Sequence, residues 1–289
     1  MQALKNKKNI PESTLHDNIK QKYLLSIGVN GEGRLNILNK VFNPYTYKFL
    51  ENLDIKPGMR ILEIGCGTGE IASWLSKKVG PQGQITAIDI NKEQIEIALK
   101  NNLSSNVDNI KFYVMSAYDI ESLKPDFDLI YCRFLLTHLS SPISVLNLAY
   151  KLLKTGGRLA CEESTISASF CYPKQAAFTR WIKIWIGLKK LHKLPFDLGL
   201  KLPNMIREAG YSNICYSLVQ PVLVSPEEKS LLRLNIIESL DYAIEDGLIS
   251  HGEVNAYLKE LEALENNEDL FIGFVRNTQI SASNFEKSN

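Results

Sequence analysis

Several features that mark specialised classes of protein are scarce in this chain of 289 residues. It has five cysteines, Cys66, Cys132, Cys161, Cys171 and Cys215, with no Cys-x-x-Cys pair and no histidine cluster near them. That spacing argues against a zinc site, and a disulfide framework is not expected in a chain this long. The cysteines read as reduced thiols, most of them small apolar residues in strands. Long apolar runs are missing too: no stretch approaches the ~18 uninterrupted apolar residues of a membrane span. Residues 1–22 form a polar arm, rich in Lys and Asn and without an apolar core, so no signal peptide is expected. Charge of one sign is also lacking. A formal net charge of +1 leaves no global field to draw in nucleic acid or an acidic substrate. What remains as the default is a cytoplasmic globular protein without a metal, built as one large domain or one domain with a helical addition.

What the chain does contain is an alternation of short apolar runs with helical patterns. Residues 34–53 carry Leu35, Leu38, Val41, Phe42, Tyr45 and Phe49 at helical spacing, and Pro44 is expected to kink or divide that helix. Strands are predicted at 60–64, 84–89, 110–115, 127–131 and 158–163, and helices at 71–79, 92–101 and 142–153. This rhythm indicates an α/β fold with a parallel sheet covered on both faces, a core spanning residues 23–163. The rhythm then breaks. Residues 164–202 are long for a connection and rich in aromatics, among them Phe178, Trp181, Trp185 and Phe196. It resumes over 203–289 with a helix at 202–209, a strand at 214–222 and a last strand at 269–280. Between those strands, residues 226–264 are a helical insertion that splits at Gly247, with Ser250 capping its second half.

The chemistry concentrates where the first strand meets its helix. Gly65, Gly67 and Gly69 alternate there, and glycine permits both positive φ and close approach of a ligand to the backbone. The helix N-terminus behind them adds free N–H donors. Spacing decides what kind of ligand. A dinucleotide fingerprint needs G-x-G-x-x-G, whereas here the residue three after Gly67 is Glu70 and Gly69 comes one early. No Gly-Lys-Ser/Thr follows, which excludes a Walker phosphate loop. Acidic Glu63 lies two residues ahead, a poor partner for pyrophosphate and a good one for a cationic ligand. Asp89 ends the second strand about twenty residues on, where a carboxylate accepts from two vicinal ribose hydroxyls. Its alternative role is to compensate the dipole of the helix that follows.

These residues resemble class I S-adenosylmethionine-dependent methyltransferases, in particular the branch of ubiquinone/menaquinone-biosynthesis and other small-molecule enzymes. Glu63-Ile64-Gly65-Cys66-Gly67-Thr68-Gly69 resembles that family's first motif and Ile88-Asp89-Ile90 its second. Phe127-Asp128-Leu129-Ile130-Tyr131-Cys132-Arg133 and Leu153-Lys154-Thr155-Gly156-Gly157-Arg158-Leu159 resemble the motifs around its fourth and fifth strands. The resemblance implies a doubly wound, mainly parallel seven-stranded sheet whose last strand is antiparallel, and S-adenosyl-L-methionine as cofactor. It implies that Gly65, Cys66 and Gly67 approach the cofactor's amino-acid portion, with Asp89 on the ribose and Ile90 on adenine. Ala117 and Tyr118 would line the adenine end. Ser116 stands where many relatives have an Asp that accepts from the adenine amino group. Cys132 and Arg133 would face the methionine portion and the substrate. Tyr23, Glu32 and Arg34 would close over the cofactor's carboxylate, surface positions being the alternative.

Methyl transfer from a sulfonium needs alignment and exclusion of water more than a base. If a base is used, His138 is the candidate by chemistry and by nearness to the fourth strand; its alternative is a structural His packing the next loop. Glu162 and Glu163 end the fifth strand, and alternation should turn one toward the site as a substrate contact and the other away. Trp181 and Trp185 lie in a basic, aromatic segment over 176–196. It is expected to be a lid over the acceptor, an interfacial helix being the alternative. Such a lid favours a small, hydrophobic or aromatic methyl acceptor. The insertion at 226–264 would complete that wall or form contacts in a homodimer. A protein or RNA methyltransferase and a non-catalytic partner with this fold are the competing functions; RNA-directed enzymes usually need a basic surface.

Overall fold

The computed structural model describes residues 24, 31–103 and 108–285; the polar arm over 1–22 and Tyr23 lie outside the described residues. The first half runs α1 (Glu32–Glu51), β1 (Arg60–Ile64), α2 (Glu70–Val79), β2 (Gln84–Asp89), α3 (Lys92–Leu103), β3 (Ile110–Val114), β4 (Phe127–Arg133), α4 (Pro142–Leu152) and β5 (Leu153–Thr165). The second half runs β6 (Phe170–Tyr172), α5 (Ala176–Leu191), α6 (Leu198–Glu208), β7 (Ser212–Val219), β8 (Val222–Leu223), α7 (Pro226–Lys229), α8 (Leu231–Glu238), α9 (Leu240–Glu245), α10 (His251–Glu265), β9 (Phe271–Gly273) and β10 (Arg276–Ser283).

Seven of these strands make one sheet in the order β3-β2-β1-β4-β5-β10-β7. Strands β3, β2, β1, β4 and β5 pair in parallel, and β10 runs antiparallel to both β5 and β7. Leu62, Ile64, Ile88, Ile130 and Cys161 bury one face in a core shared with α4 and α6. Ile61, Ile85, Ala87 and Tyr131 bury the other against α1 and α2. Burial on both faces is why the strands read as apolar runs without polar alternation. The chain leaves β1 in one direction toward β2 and returns to β4 on the other side. Their carboxyl ends therefore splay apart and open a crevice, the general ligand position in such sheets.

A third core joins the two insertions. Trp181, Trp185 and Leu188 of α5 pack with Leu231, Leu232 and Ile236 of α8 and Tyr257 and Leu261 of α10, and Phe42 of α1 closes the cluster. The insertions thus form one helical layer over the crevice. Ser250 caps α10 through a reciprocal pair with Glu253, as the spacing predicts.

Four local expectations are corrected. Helix α1 runs through Pro44 undivided, with that residue on its exposed side. The expected turn at Thr155-Gly156-Gly157 is a register shift inside β5. Helix α6 starts at Leu198 and tolerates Pro203 within it. The last strand divides: Phe274 is buried against Phe42 and Trp181, which draws the chain into the helical layer. As a result β9 joins β6 and β8 in a small antiparallel sheet, and β10 alone completes the large one.

Candidate active site

The glycine loop is held from below by its own strands. Gly65 and Cys66 donate their N–H groups to the Ile88 carbonyl at 2.8 and 2.9 Å. Asp89 grips the loop with one oxygen, accepting from Gly67 N–H at 3.0 Å, and the start of α3 with the other, accepting from Asn91 N–H at 2.9 Å. Gly69 enters α2 at φ +80°, and a Cβ there would lie 2.9 Å from that of Ala98. Only glycine fits such a joint. At Gly67, φ is +50° and a Cβ would meet nothing within 4 Å, so the loop backbone lies open to the crevice.

That crevice is a cavity of about 250 Å³. At its sheet end stand Glu63, Gly65, Gly67 and Asp89. Glu63 is almost fully buried, and its Oε2 has no hydrogen-bond partner. Burial pushes its carboxyl up to about 8; the Arg133 charge and the Ala72 N–H pull the other way. Burial also raises Asp89 above the usual carboxylate range, against the N–H groups of Asn91, Gly67 and Ile90. Arg133 is aimed by α1: its two terminal nitrogens donate to Asn43 Oδ1, Thr46 Oγ1 and Asn39 Oδ1 at 2.8–2.9 Å.

The roof end is made of α5, the turn after β4 and the strand break at Phe274. Trp181, Trp185 and Lys189 line it together with His138 and Phe274. Burial, reinforced by the charges of Lys189 and Arg34, holds His138 well below its ordinary value, so it is neutral at pH 7. Lys189 donates to the Thr137 carbonyl at 2.8 Å and is lowered to about 8 by burial, with Glu163 opposing. Arg34 lines the cavity, and its Nε donates to Glu238 at 2.7 Å in a buried ion pair between α1 and α8.

Ten of the residues singled out in the sequence therefore meet on one cavity: Arg34, Glu63, Gly65, Cys66, Gly67, Asp89, Arg133, His138, Trp181 and Trp185. Ile90 and Ala117 line an adjoining pocket that shares Gly65 and Asp89 with it. Five others line neither. Ser116 caps the turn at Ala117–Ser122 by accepting from Tyr118 N–H. The Tyr118 hydroxyl is occupied at Ser141 N–H. Strand alternation sends Tyr131 and Arg133 to the cavity and Cys132 to the opposite face, where its Sγ lies 3.4 Å from that of Cys161. Glu162 and Glu163 do point to opposite faces, but neither lines the cavity, and Glu163 keeps one oxygen, Oε2, without a partner. Glu162 accepts from Thr46, Tyr131, Asn277 and Gln279, and Glu163 accepts from Leu136 N–H. The residues that sequence reasoning passed over are Asn39, Tyr131 and Lys189. For Lys189 a signal existed, because it stands one helical repeat beyond Trp185.

Residues 55–210, more than half of the chain, match the model of a methyltransferase domain, and the chain belongs to that family. It is a class I S-adenosylmethionine-dependent methyltransferase. Among curated proteins it is similar to the demethylmenaquinone methyltransferase of Listeria monocytogenes, 23% identical over 175 residues that cover 56% of this chain and 73% of that protein. It is also similar to the ubiquinone biosynthesis O-methyltransferase of Xanthomonas campestris, 31% identical over 118 residues, 40% of this chain and 48% of that one. Its fold is shared with phosphoethanolamine N-methyltransferase 2 of Haemonchus contortus, solved with S-adenosylhomocysteine. The TM-score is 0.53 at 14% identity, over 88% of this chain and 53% of that one. Among the described residues no helix is long and apolar enough to cross a membrane.

Proposed function

We propose that the enzyme methylates a small hydrophobic or aromatic molecule held between the glycine loop and the helical layer. The observation that carries this reading is continuity. One cavity has Glu63, Gly67 and Asp89 at one end and Trp181, Trp185 and Phe274 at the other.

The residues fit the cofactor's parts. A buried carboxylate oxygen without a partner costs about 1–3 kcal/mol, and Glu63 recovers it by accepting from an ammonium group. Gly65 and Gly67 let the methionine portion approach the backbone. Asp89 has lone pairs left for the two ribose hydroxyls, and Ile90 and Ala117 pack the adenine. Arg133, with Asn39 beside it, faces the carboxylate. When bound, the cofactor supplies an electrophilic methyl carbon on a sulfonium. The protein's part is to hold the acceptor in line with it and keep water away. The α5 helix and the 226–264 insertion do this as a lid. His138 lines the cavity in its neutral form; the burial and the Lys189 and Arg34 charges that keep it neutral also oppose its taking a proton, so it meets the acceptor as a hydrogen-bonding group.

The test is transfer of a labelled methyl group from the cofactor to hydroxylated aromatic small molecules, to bulk RNA and to bulk protein. Label is expected in the aromatic fraction. Label confined to RNA or protein overturns the acceptor assignment.

A further inference from the structure

We propose that Trp181, Trp185 and Lys189 are the specificity-determining residues for the acceptor, and that they select a planar molecule carrying an oxyanion, a carboxylate or a phenolate. This rests on the small-molecule reading above and deepens it.

The three residues are spaced i, i+4, i+8 on α5, which places them on one face of the helix. All three line the cavity, and they are 1%, 4% and 2% exposed. They also share one chemical property: each can only donate. An indole offers a single N–H and an ammonium offers three, and neither accepts. Among the described residues no acceptor meets the indole N–H groups. Both Trp181 Nε1 and Trp185 Nε1 are buried without a hydrogen-bond partner. Lys189 donates to Thr137, whose carbonyl and hydroxyl oxygens lie at 2.8 and 3.3 Å, and the Glu163 carboxyl acts on its charge from nearby.

Buried donors without acceptors are rare in native proteins. Two in succession, one turn apart and followed by a buried ammonium, form a row that an acceptor-rich ligand completes. An oxyanion does so best, since it only accepts and its charge is opposite to that of Lys189. An amine does so worst: it brings more donors and a like charge into a dry site. The ring that carries the oxyanion has a platform ready. Trp181 stacks on Phe178 with centroids 5.9 Å apart and leans on Phe274, so the indole surface is fixed before anything binds. At the other end of the cavity Asp89 is an acid, and the bound cofactor takes up Glu63 and Arg133. The molecule is thereby confined to the roof.

The experiment is calorimetry on protein saturated with S-adenosylhomocysteine, titrated with naphthoate, dinitrophenolate, naphthamide and naphthylmethylamine. At least one of the two anions is expected to bind about tenfold or more tightly than the amide and the amine, and which anion does so separates carboxylate from phenolate. Lys189→Met should abolish that preference and Lys189→Arg should retain it, with affinity for S-adenosylhomocysteine unchanged in both. Trp185→Phe, which keeps the ring and removes the N–H, should weaken naphthoate more than naphthylmethylamine. It stands in if the lysine variants do not fold. An amine bound as tightly as the anions, or a Lys189→Met protein that keeps the preference, overturns the proposal while leaving the parent reading intact. Failure of the wild-type protein to bind S-adenosylhomocysteine overturns the parent reading and this one with it.

Discussion

The sheet end of the cavity carries the acids Glu63 and Asp89, with Arg133 beside them; the roof end carries the donors Trp181, Trp185 and Lys189, with neutral His138 beside them. Burial acts on both ends, and it moves their titration in opposite directions. It raises Glu63 to about 8 and lowers Lys189 to about 8, because a low-dielectric site disfavours whichever form is charged. At pH 7 this leaves Glu63 mainly protonated and neutral, while Lys189 keeps most of its charge but holds its proton less firmly than an exposed lysine. A ligand group of opposite charge favours the charged form and gains a strong interaction in doing so. Glu162 supplies the contrast that makes this meaningful. It is buried as deeply as Glu63, in the neighbouring part of the sheet, yet four donors satisfy it. The satisfied carboxylate joins α1, β4 and β10; Glu63, on the cavity wall, keeps an oxygen without a partner.

The strongest way to break that contrast is Glu162→Ala. It strips the acceptor from Thr46, Tyr131, Asn277 and Gln279 at once, and stability to denaturant should fall by about 3–5 kcal/mol. A loss below about 1 kcal/mol would mean that the network does not hold α1 to the sheet. Next come the two carboxylates at the sheet end. Glu63→Gln should leave folding intact but weaken S-adenosylhomocysteine binding by about 2–3 kcal/mol. Asp89→Ala should weaken it by at least ~1.4 kcal/mol, tenfold. Calorimetry reads both, and unchanged affinity removes the residue concerned from the cofactor site.

The smallest effect is one of pH. With its carboxyl raised to about 8, Glu63 is protonated at pH 6 and must release a proton before it can pair with an ammonium group. Affinity for S-adenosylhomocysteine should therefore climb from pH 6 to pH 8, and Glu63→Gln should flatten the climb. The same shift acts on stability with the opposite sign. From its ordinary 4.5 up to about 8, the folded protein keeps a proton that the unfolded chain gives up, so this contribution to stability falls as pH rises through that window. A wild-type affinity that is level from pH 6 to pH 8 would show that Glu63 does not meet the ligand.

The parts of this protein legible in the sequence are those governed by neighbours along the chain. Strands β1 and β2 are apolar runs ending at glycine or acid, and α10 carries its cap in Ser250 and Glu253. What misled was orientation. Cys132 and Arg133 adjoin in sequence, and the pleat sends them to opposite faces. Glu162 and Glu163 reach the expected edge of the sheet and are then absorbed by residues more than a hundred positions away, Thr46 and Asn277 for Glu162, or by the next turn, Leu136, for Glu163. Ser116 is consumed by its own turn.

By itself, then, the sequence determined the glycine loop after Glu63 and the acid Asp89 that grips it. The positive-φ glycines, the strand-to-helix joint and the acid about twenty residues on are constraints of local sterics, and they are written in adjacent residues. Only the tertiary structure decided the roof. That Trp181, Trp185 and Lys189 face Glu63 across one cavity, and that Phe274 breaks the last strand to close it, depends on packing between segments more than a hundred residues apart. Desolvation, which raises Glu63 and lowers Lys189, exists only once that packing has excluded water.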